Sequence, residues 1–226
     1  MWHELTGLGD QIRDDRALFE EAGAVVVETM RRVRANIETL VAELVERGYR
    51  FDSPSPYDPP ADDVAAQLDE LEARMGPMPL ALRGWFEHVG RVDLTGRFRG
   101  WSYRYTDPLV VDAPIDLILS EYADWEDERG TEGDRGPFTI DLAPDWLHKA
   151  NVSGGGPYAV EVPNRGIDGP LLEEPHSTTF ANYLRIAFRW GGFPGWDPEH
   201  PMRDRWAQPP SPPPVIVELS ARLTPM

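Results

Sequence analysis

Apolar residues recur at alternating intervals of four and three positions near the N-terminus of the chain. Residues at this spacing share one face of a helix and form a narrow stripe along it. The stripe consists of Val26, Met30, Val33, Ile37, Leu40 and Leu44. Phe19 and Gly23 continue it towards the N-terminus. With Asp10 as the N-cap and Gly48 as the stop signal, the pattern predicts a helix over residues 10–47, about 55 Å long.

A helix of this length leaves two arrangements open. It packs its stripe on its own domain, or it pairs with a second copy of itself to form a homodimer.

Prolines end the helical pattern. The segment FDSPSPYDPPADD, residues 51–63, contains four of them, which excludes a continuous helix or a central strand. We interpret it as a linker. The chain then divides into an N-terminal helical extension with its Pro-rich linker, residues 1–60, and a second part, residues 61–226, that ends in a Pro-rich spacer and a final strand.

Two short helices are expected next. VAAQLDELEARM follows a cap at Asp62 and ends at Gly76, and PLALRGWFEHV begins at Pro79 and ends at Gly90. Strands are expected at RFRGWSYRY, DPLVVD, DLILSEY, GPFTIDLAP and PYAVEVP, because apolar and polar residues alternate or short apolar runs lie between turn residues.

A further helix is predicted from a cap at Ser177 through FANYLRIAFRW to Gly191, and VIVELSARL is predicted as the last strand. This order indicates an α+β fold, a largely antiparallel sheet packed with helices and preceded by the long N-terminal helix. Alternation and helical spacing place nine residues in the core: Trp85, Phe86, Leu94, Ile140, Val160, Val162, Phe180, Leu184 and Phe188.

A triple-glycine segment, HKANVSGGGPYAVEVP, raises the question of phosphate binding. A phosphate-binding loop places Lys and Ser or Thr after its glycines, at the start of a helix, whereas Lys149 here precedes them and a strand follows. A nucleophile elbow needs glycine two residues before Ser153, where Asn151 stands. We therefore predict a structural turn in which the glycines supply a positive φ.

Charge and cysteine content exclude several classes of function. The net charge is −17 and there is no cysteine. Nucleic acids and anionic lipid surfaces are disfavoured as partners, since affinity for both depends on Lys and Arg. The first residues lack a basic and then apolar signal segment, and no apolar run is long enough to span a membrane. These features favour a cytoplasmic protein that a basic partner would approach readily.

No cofactor or metal site is predicted. The acidic segment at residues 124–134 resembles a calcium loop in composition, but Arg129 stands where such a loop needs glycine and Arg135 where it needs glutamate. We expect a solvated acidic loop there. The five histidines are not at the spacing of a local metal site.

Three stretches resemble proteins of the SUKH superfamily, the cell-wall assembly regulator-like group. They are PLALRGWFEHVGRVDLTG, NVSGGGPYAVEVPNRGIDGPLLEE and TTFANYLRIAFRWGGFPGW, within residues 62–200. The resemblance implies an α+β domain without catalytic residues. Bacterial members are largely inferred immunity proteins that neutralise toxins, many of which are nucleases, and fungal members act as signalling scaffolds.

The sequence thus favours a protein-binding domain of the immunity type. Two alternatives remain: a regulatory or scaffold protein, or an enzyme that acts on a small molecule through scattered acidic residues.

The predicted interface mixes carboxylates that attract a basic protein with aromatic anchors. It comprises Glu121, Tyr122, Asp124, Trp125, Glu126, Asp127 and Glu128.

Overall fold

The computed structural model describes residues 2–98, 106–132, 136–200 and 211–226. Seven α-helices lie in these ranges: α1 (Trp2–Gly7), α2 (Arg16–Glu46), α3 (Val64–Met75), α4 (Leu80–His88), α5 (Ile115–Glu132), α6 (Phe180–Arg189) and α7 (Pro214–Ala221). None of these helices combines the length and the apolar composition that a bilayer span requires.

Short strands in the same ranges form three small antiparallel sheets. The strands are β1 (Tyr49–Phe51), β2 (Tyr57–Asp58), β3 (Arg91–Asp93), β4 (Gly96–Phe98), β5 (Val110–Val111), β6 (Phe138–Ala143) and β7 (Tyr158–Val162). β1 pairs with β4, β2–β3–β5 form a three-stranded sheet, and β6 pairs with β7. The predicted α+β fold with antiparallel pairing is confirmed.

One hydrophobic core joins residues from Leu5 to Leu219. All nine residues predicted for the core are buried. Eight of the nine lie on β6, β7, α4 and α6, where alternation or helical spacing predicts their burial, and Leu94 lies between β3 and β4.

The helix α2 begins later than the sequence indicates. A 3-10 helix occupies Gly9–Arg13, and the N-cap is Asp15, whose carboxylate accepts hydrogen bonds from the backbone N–H groups of Ala17 and Leu18 at 2.9 and 3.2 Å. Asp10 is therefore not the cap. The 31 residues of α2 span about 46 Å. Phe19 is 38% exposed and does not extend the buried stripe.

The apolar stripe of α2 packs on its own chain. All six stripe residues are buried, and α2 crosses α4 at Gly84, where an added Cβ would lie 2.4 Å from Val26 Cγ1. A homodimer through this stripe would have to displace the protein's own core.

The Pro-rich segment contributes strands to the fold. Its first residue, Phe51, is the last residue of β1, and Tyr57 of β2 pairs with Val92 of β3. Both β1 and β2 are edge strands, the position that proline tolerates. The segment thus connects α2 to the rest of the chain through sheet pairing as well as through the backbone.

Two predicted strands are helices. DLILSEY lies in α5 and VIVELSARL in α7. In α5 the buried residues Ile118 and Tyr122 are four positions apart while Leu117 is 50% exposed. A proline precedes or opens each helix, Pro114 for α5 and Pro214 for α7. The four-residue spacing of the buried side chains and the proline at the start favour a helix more strongly than the β-branched residues favour a strand.

Smaller differences concern helix caps and one strand. Thr179, not Ser177, occupies the N-cap position of α6, and Asp63, not Asp62, that of α3. The predicted strand RFRGWSYRY is a strand only as far as Phe98, and its residues 99–105 lie outside the described ranges.

Candidate functional site

All seven residues of the predicted interface lie on the helix α5, so the expectation of a loop in this acidic segment is wrong as far as residue 132. Aromatic packing holds α5 against β6: the Phe138 ring meets Tyr122 edge-on at 5.1 Å, and Trp125 stacks on Tyr122 at 5.5 Å. Tyr122 is buried and its hydroxyl donates to the Arg74 carbonyl at 3.2 Å. Both aromatic residues therefore face the body of the protein, and they fix the helix in place.

The predicted acidic residues of α5 face outward. Asp124, Glu126, Asp127 and Glu128 are exposed, and Glu126 lies 3.5 Å from Arg74. Leu117 lies four and seven positions before Glu121 and Asp124 and shares their helix face. This face, consisting of Leu117, Glu121, Asp124 and Glu128, is called the outer face of α5 below.

A carboxylate of the sheet adds to the outer face. Burial, and then the charges of Asp141 on β6 and of Asp124, raise the pKa of Glu121. Glu121 is therefore close enough to both Asp141 and Asp124 to be repelled by their negative charges. The packing of α5 on β6 holds these carboxylates near one another, so the fold concentrates negative charge on the surface that α5 and β6 share.

Deeper in the molecule lies a charged cluster that sequence analysis did not identify. Asp107 and Lys149 form an ion pair of 2.7 Å, and both side chains are inaccessible to solvent. The hydroxyl of Tyr158 donates to the second Asp107 oxygen at 3.2 Å, and the buried His200 ring lies 3.6 Å from that oxygen. Lys149 Nζ also lies over the Tyr158 ring, 4.5 Å from its centre.

The ionised state of Asp107 is favoured within this cluster. Burial alone would raise the pKa of Asp107, but the charges and hydrogen bonds of Lys149 and His200 outweigh it and the pKa is lowered. A carboxylate held ionised by buried partners is poorly suited to general acid–base work near neutral pH.

A second buried pair lies beside the first. His176 Nδ1 is 2.5 Å from Glu174 Oε1, and the rings of His176 and His200 are 5.5 Å apart. Burial disfavours the charged form of His176, but the hydrogen bond and charge of Glu174 outweigh it and raise the pKa of His176. Within the described ranges, no three His, Asp or Glu side chains are arranged to hold a metal ion.

A cavity of about 410 Å³ adjoins the Asp107–Lys149 pair. Its lining includes Arg97 from β4, Trp146, and Asn151 after the 3-10 helix His148–Ala150. Volumes of this order are typical of small-molecule sites.

The triple-glycine turn leads into β7, as predicted, but its backbone differs from the prediction. None of Gly154, Gly155 and Gly156 has a positive φ. Gly154 is instead needed for space, because an added Cβ would lie 2.5 Å from Leu147 Cβ and 2.7 Å from Asp145 Oδ1. A Cβ at Gly155 would have Glu173 Oε2 as its nearest neighbour, at 3.7 Å. Two carboxylates beside this turn disfavour a phosphate there.

We expect Gly154→Ala to lower the free energy of unfolding by about 1–3 kcal/mol, since the new methyl group overlaps its neighbours. Gly155→Ala should change it by less than about 0.5 kcal/mol, because the site is open and the backbone unstrained. Urea unfolding measures both. A larger loss for Gly155→Ala than for Gly154→Ala would contradict this account of the turn.

Comparison of the chain with protein-family models, with curated proteins and with solved structures found no match.

Proposed function

We propose that this protein is a non-catalytic binding protein of the immunity type, which neutralises a basic toxin domain by covering it with the outer face of α5. The resemblance to the SUKH superfamily suggests this class of function. The observation that carries the proposal is the set of carboxylates on the solvent-facing side of α5, where Asp124 and Glu128 are exposed and Glu121 lies within the influence of the negative charges of Asp141 and Asp124.

A cationic partner would relieve that repulsion. Lys or Arg side chains placed among the three carboxylates would exchange like-charge contacts for opposite-charge contacts, and the net charge of −17 would speed the encounter at low salt. Nuclease toxins bind nucleic acid through basic clefts, so they have the required charge.

Leu117 is the apolar anchor that the outer face offers. It is 50% exposed, whereas Trp125 packs on Tyr122 and Phe138 and is unavailable without disturbing α5. Carboxylates that steer the approach and an apolar side chain that becomes buried on contact are the two components of a tight interface.

An enzyme is the less favoured alternative. It would use the cavity next to Asp107, but that carboxylate is already paired with Lys149 and Tyr158. A scaffold protein would use the same outer face as an immunity protein. The partner's identity distinguishes these two, and affinity capture from the native cell with mass spectrometry identifies the partner.

With the captured partner, we expect Glu121→Gln/Asp124→Asn/Asp141→Asn to slow association and to flatten its salt dependence. Exposed charges act over the Debye length and mainly set the association rate. Leu117→Ala should instead speed dissociation, because it removes a contact that forms only in the complex. Surface binding kinetics at several salt concentrations measure both rates.

Matched controls lie elsewhere on the surface. Glu21→Gln/Glu46→Gln/Glu70→Gln changes the net charge by the same amount at exposed positions of α2 and α3, and Val45→Ala trims an exposed apolar residue of α2. Equal effects of the two triple variants would mean that net charge alone matters and that the outer face of α5 is not the interface.

A further inference from the structure

Two arginines lie directly opposite each other on the β1–β4 pair. Arg50 of β1 is in register with Arg97 of β4, and both are exposed. Residues directly opposite on antiparallel strands project to the same face, and like charges there repel. Tyr49 and Phe98, the neighbouring pair in the register, pack their rings at 4.8 Å on the other side of the ribbon.

Neither guanidinium is neutralised within the described ranges, where no carboxylate forms an ion pair with Arg50 or Arg97. The arginines of α2 differ, since Arg31 and Arg32 pair with Glu28 and Arg34 pairs with Glu38. In a chain with 39 acidic and 22 basic residues, an uncompensated pair of cations requires an explanation.

Arg97 lines the 410 Å³ cavity together with Trp146 and Thr106. The Trp146 ring is half-buried and stands edge-on to His200 at 5.6 Å, which fixes its orientation. The cavity therefore combines an oriented aromatic side chain with a cation that has no ion-pair partner among the described residues.

The remaining charges of the cavity are nearly balanced. Asp107 is neutralised by Lys149 at 2.7 Å. Asp52, an exposed carboxylate, also lines the cavity and opposes an anion. Arg50 and Arg97 together carry one positive charge more than Asp52 carries negative charge, so these three side chains leave an excess positive charge at the β1–β4 face.

We propose that this cavity binds a small phosphorylated molecule that carries a flat ring. The phosphoryl group lies between Arg50 and Arg97, and the ring lies in the cavity against Trp146. Arginine matches phosphate oxygens with two parallel hydrogen bonds, and a phosphoryl group with two negative charges offsets two adjacent guanidinium groups, which a single carboxylate does not.

The test uses phenyl phosphate as the probe, titrated by calorimetry at pH ~8, where the phosphoryl group carries two charges. We expect binding with a dissociation constant of about 1 mM or tighter, a value common for a fragment of this size. Inorganic phosphate should bind more weakly, because it lacks the ring, and phenol should not bind, because it lacks the charge.

Three variants locate the site. Arg97→Gln and Arg50→Gln should each weaken phenyl phosphate by about tenfold or more, the effect of losing one charged hydrogen-bonding group. Trp146→Leu should weaken phenyl phosphate but leave inorganic phosphate unchanged. Asp52→Asn should tighten both, since it removes an opposing charge.

Two controls separate binding from folding and from net charge. Arg189→Gln makes the same charge change at a residue that lines a different cavity, and it should leave binding unchanged. Arg97→Gln should not lower the melting temperature, because its removal relieves repulsion by Arg50. The proposal is overturned if phenyl phosphate does not bind, or if Arg189→Gln weakens its binding as much as Arg97→Gln does. It is also overturned if Arg97→Gln lowers the melting temperature.

Discussion

Lys149→Met is expected to lower the free energy of unfolding by about 3–5 kcal/mol, the cost of leaving one partner of a buried ion pair without the other. Both side chains of the Asp107–Lys149 pair are inaccessible to solvent. Methionine keeps the length of the apolar stem of lysine, so the loss would come from the uncompensated charge of Asp107 and not from a cavity. Chemical unfolding near neutral pH measures the effect.

The double variant Asp107→Asn/Lys149→Met is the matched control. Asparagine keeps a group that can accept the hydrogen bond from Tyr158, and it tolerates the positive φ of +45° at position 107. Removal of both charges should recover most of the stability that the single variant loses. The deficit of Lys149→Met should also shrink in acid, where protonation neutralises Asp107. A double variant as unstable as the single variant would show that lysine acts by packing.

The regular part of the fold could be predicted from local sequence patterns. The stripe in α2 and the alternation in β6 and β7 predict buried residues correctly, because the apolar period of each element matches the side that packs on the core; Ala159 of β7 is buried as well, on the opposite face of the strand. The prediction of strands for the apolar runs in α5 and α7 is wrong. Short runs of this kind fit either period, and tertiary packing, as of Tyr122 on Phe138, decides between them.

The charged cluster could not be predicted in this way. Asp107 and Lys149 are 42 positions apart and belong to no recognised motif. Asp107 meets Lys149, Tyr158 and His200 only because separate elements converge around it. The position of Arg50 opposite Arg97 likewise depends on the register of β1 with β4. The interpretation of the proline-rich segment as a linker does not predict this strand pairing.

Phe180→Ala is expected to lower the free energy of unfolding by about 3–5 kcal/mol, the range for removing a fully buried phenyl ring. Phe180 is 1% exposed at the start of α6, and its ring meets Trp85 of α4 edge-on at 5.7 Å. The variant therefore loses apolar burial and an aromatic contact between two helices. Phe19→Ala removes the same ring from a position on α2 that is 38% exposed, where the Arg13 guanidinium lies 5.6 Å from the ring centre. That control should cost about 1 kcal/mol or less, as expected for an exposed cation–π contact. Urea unfolding of both variants compares the two costs directly, and equal losses would place Phe180 outside the core that α4 and α6 share.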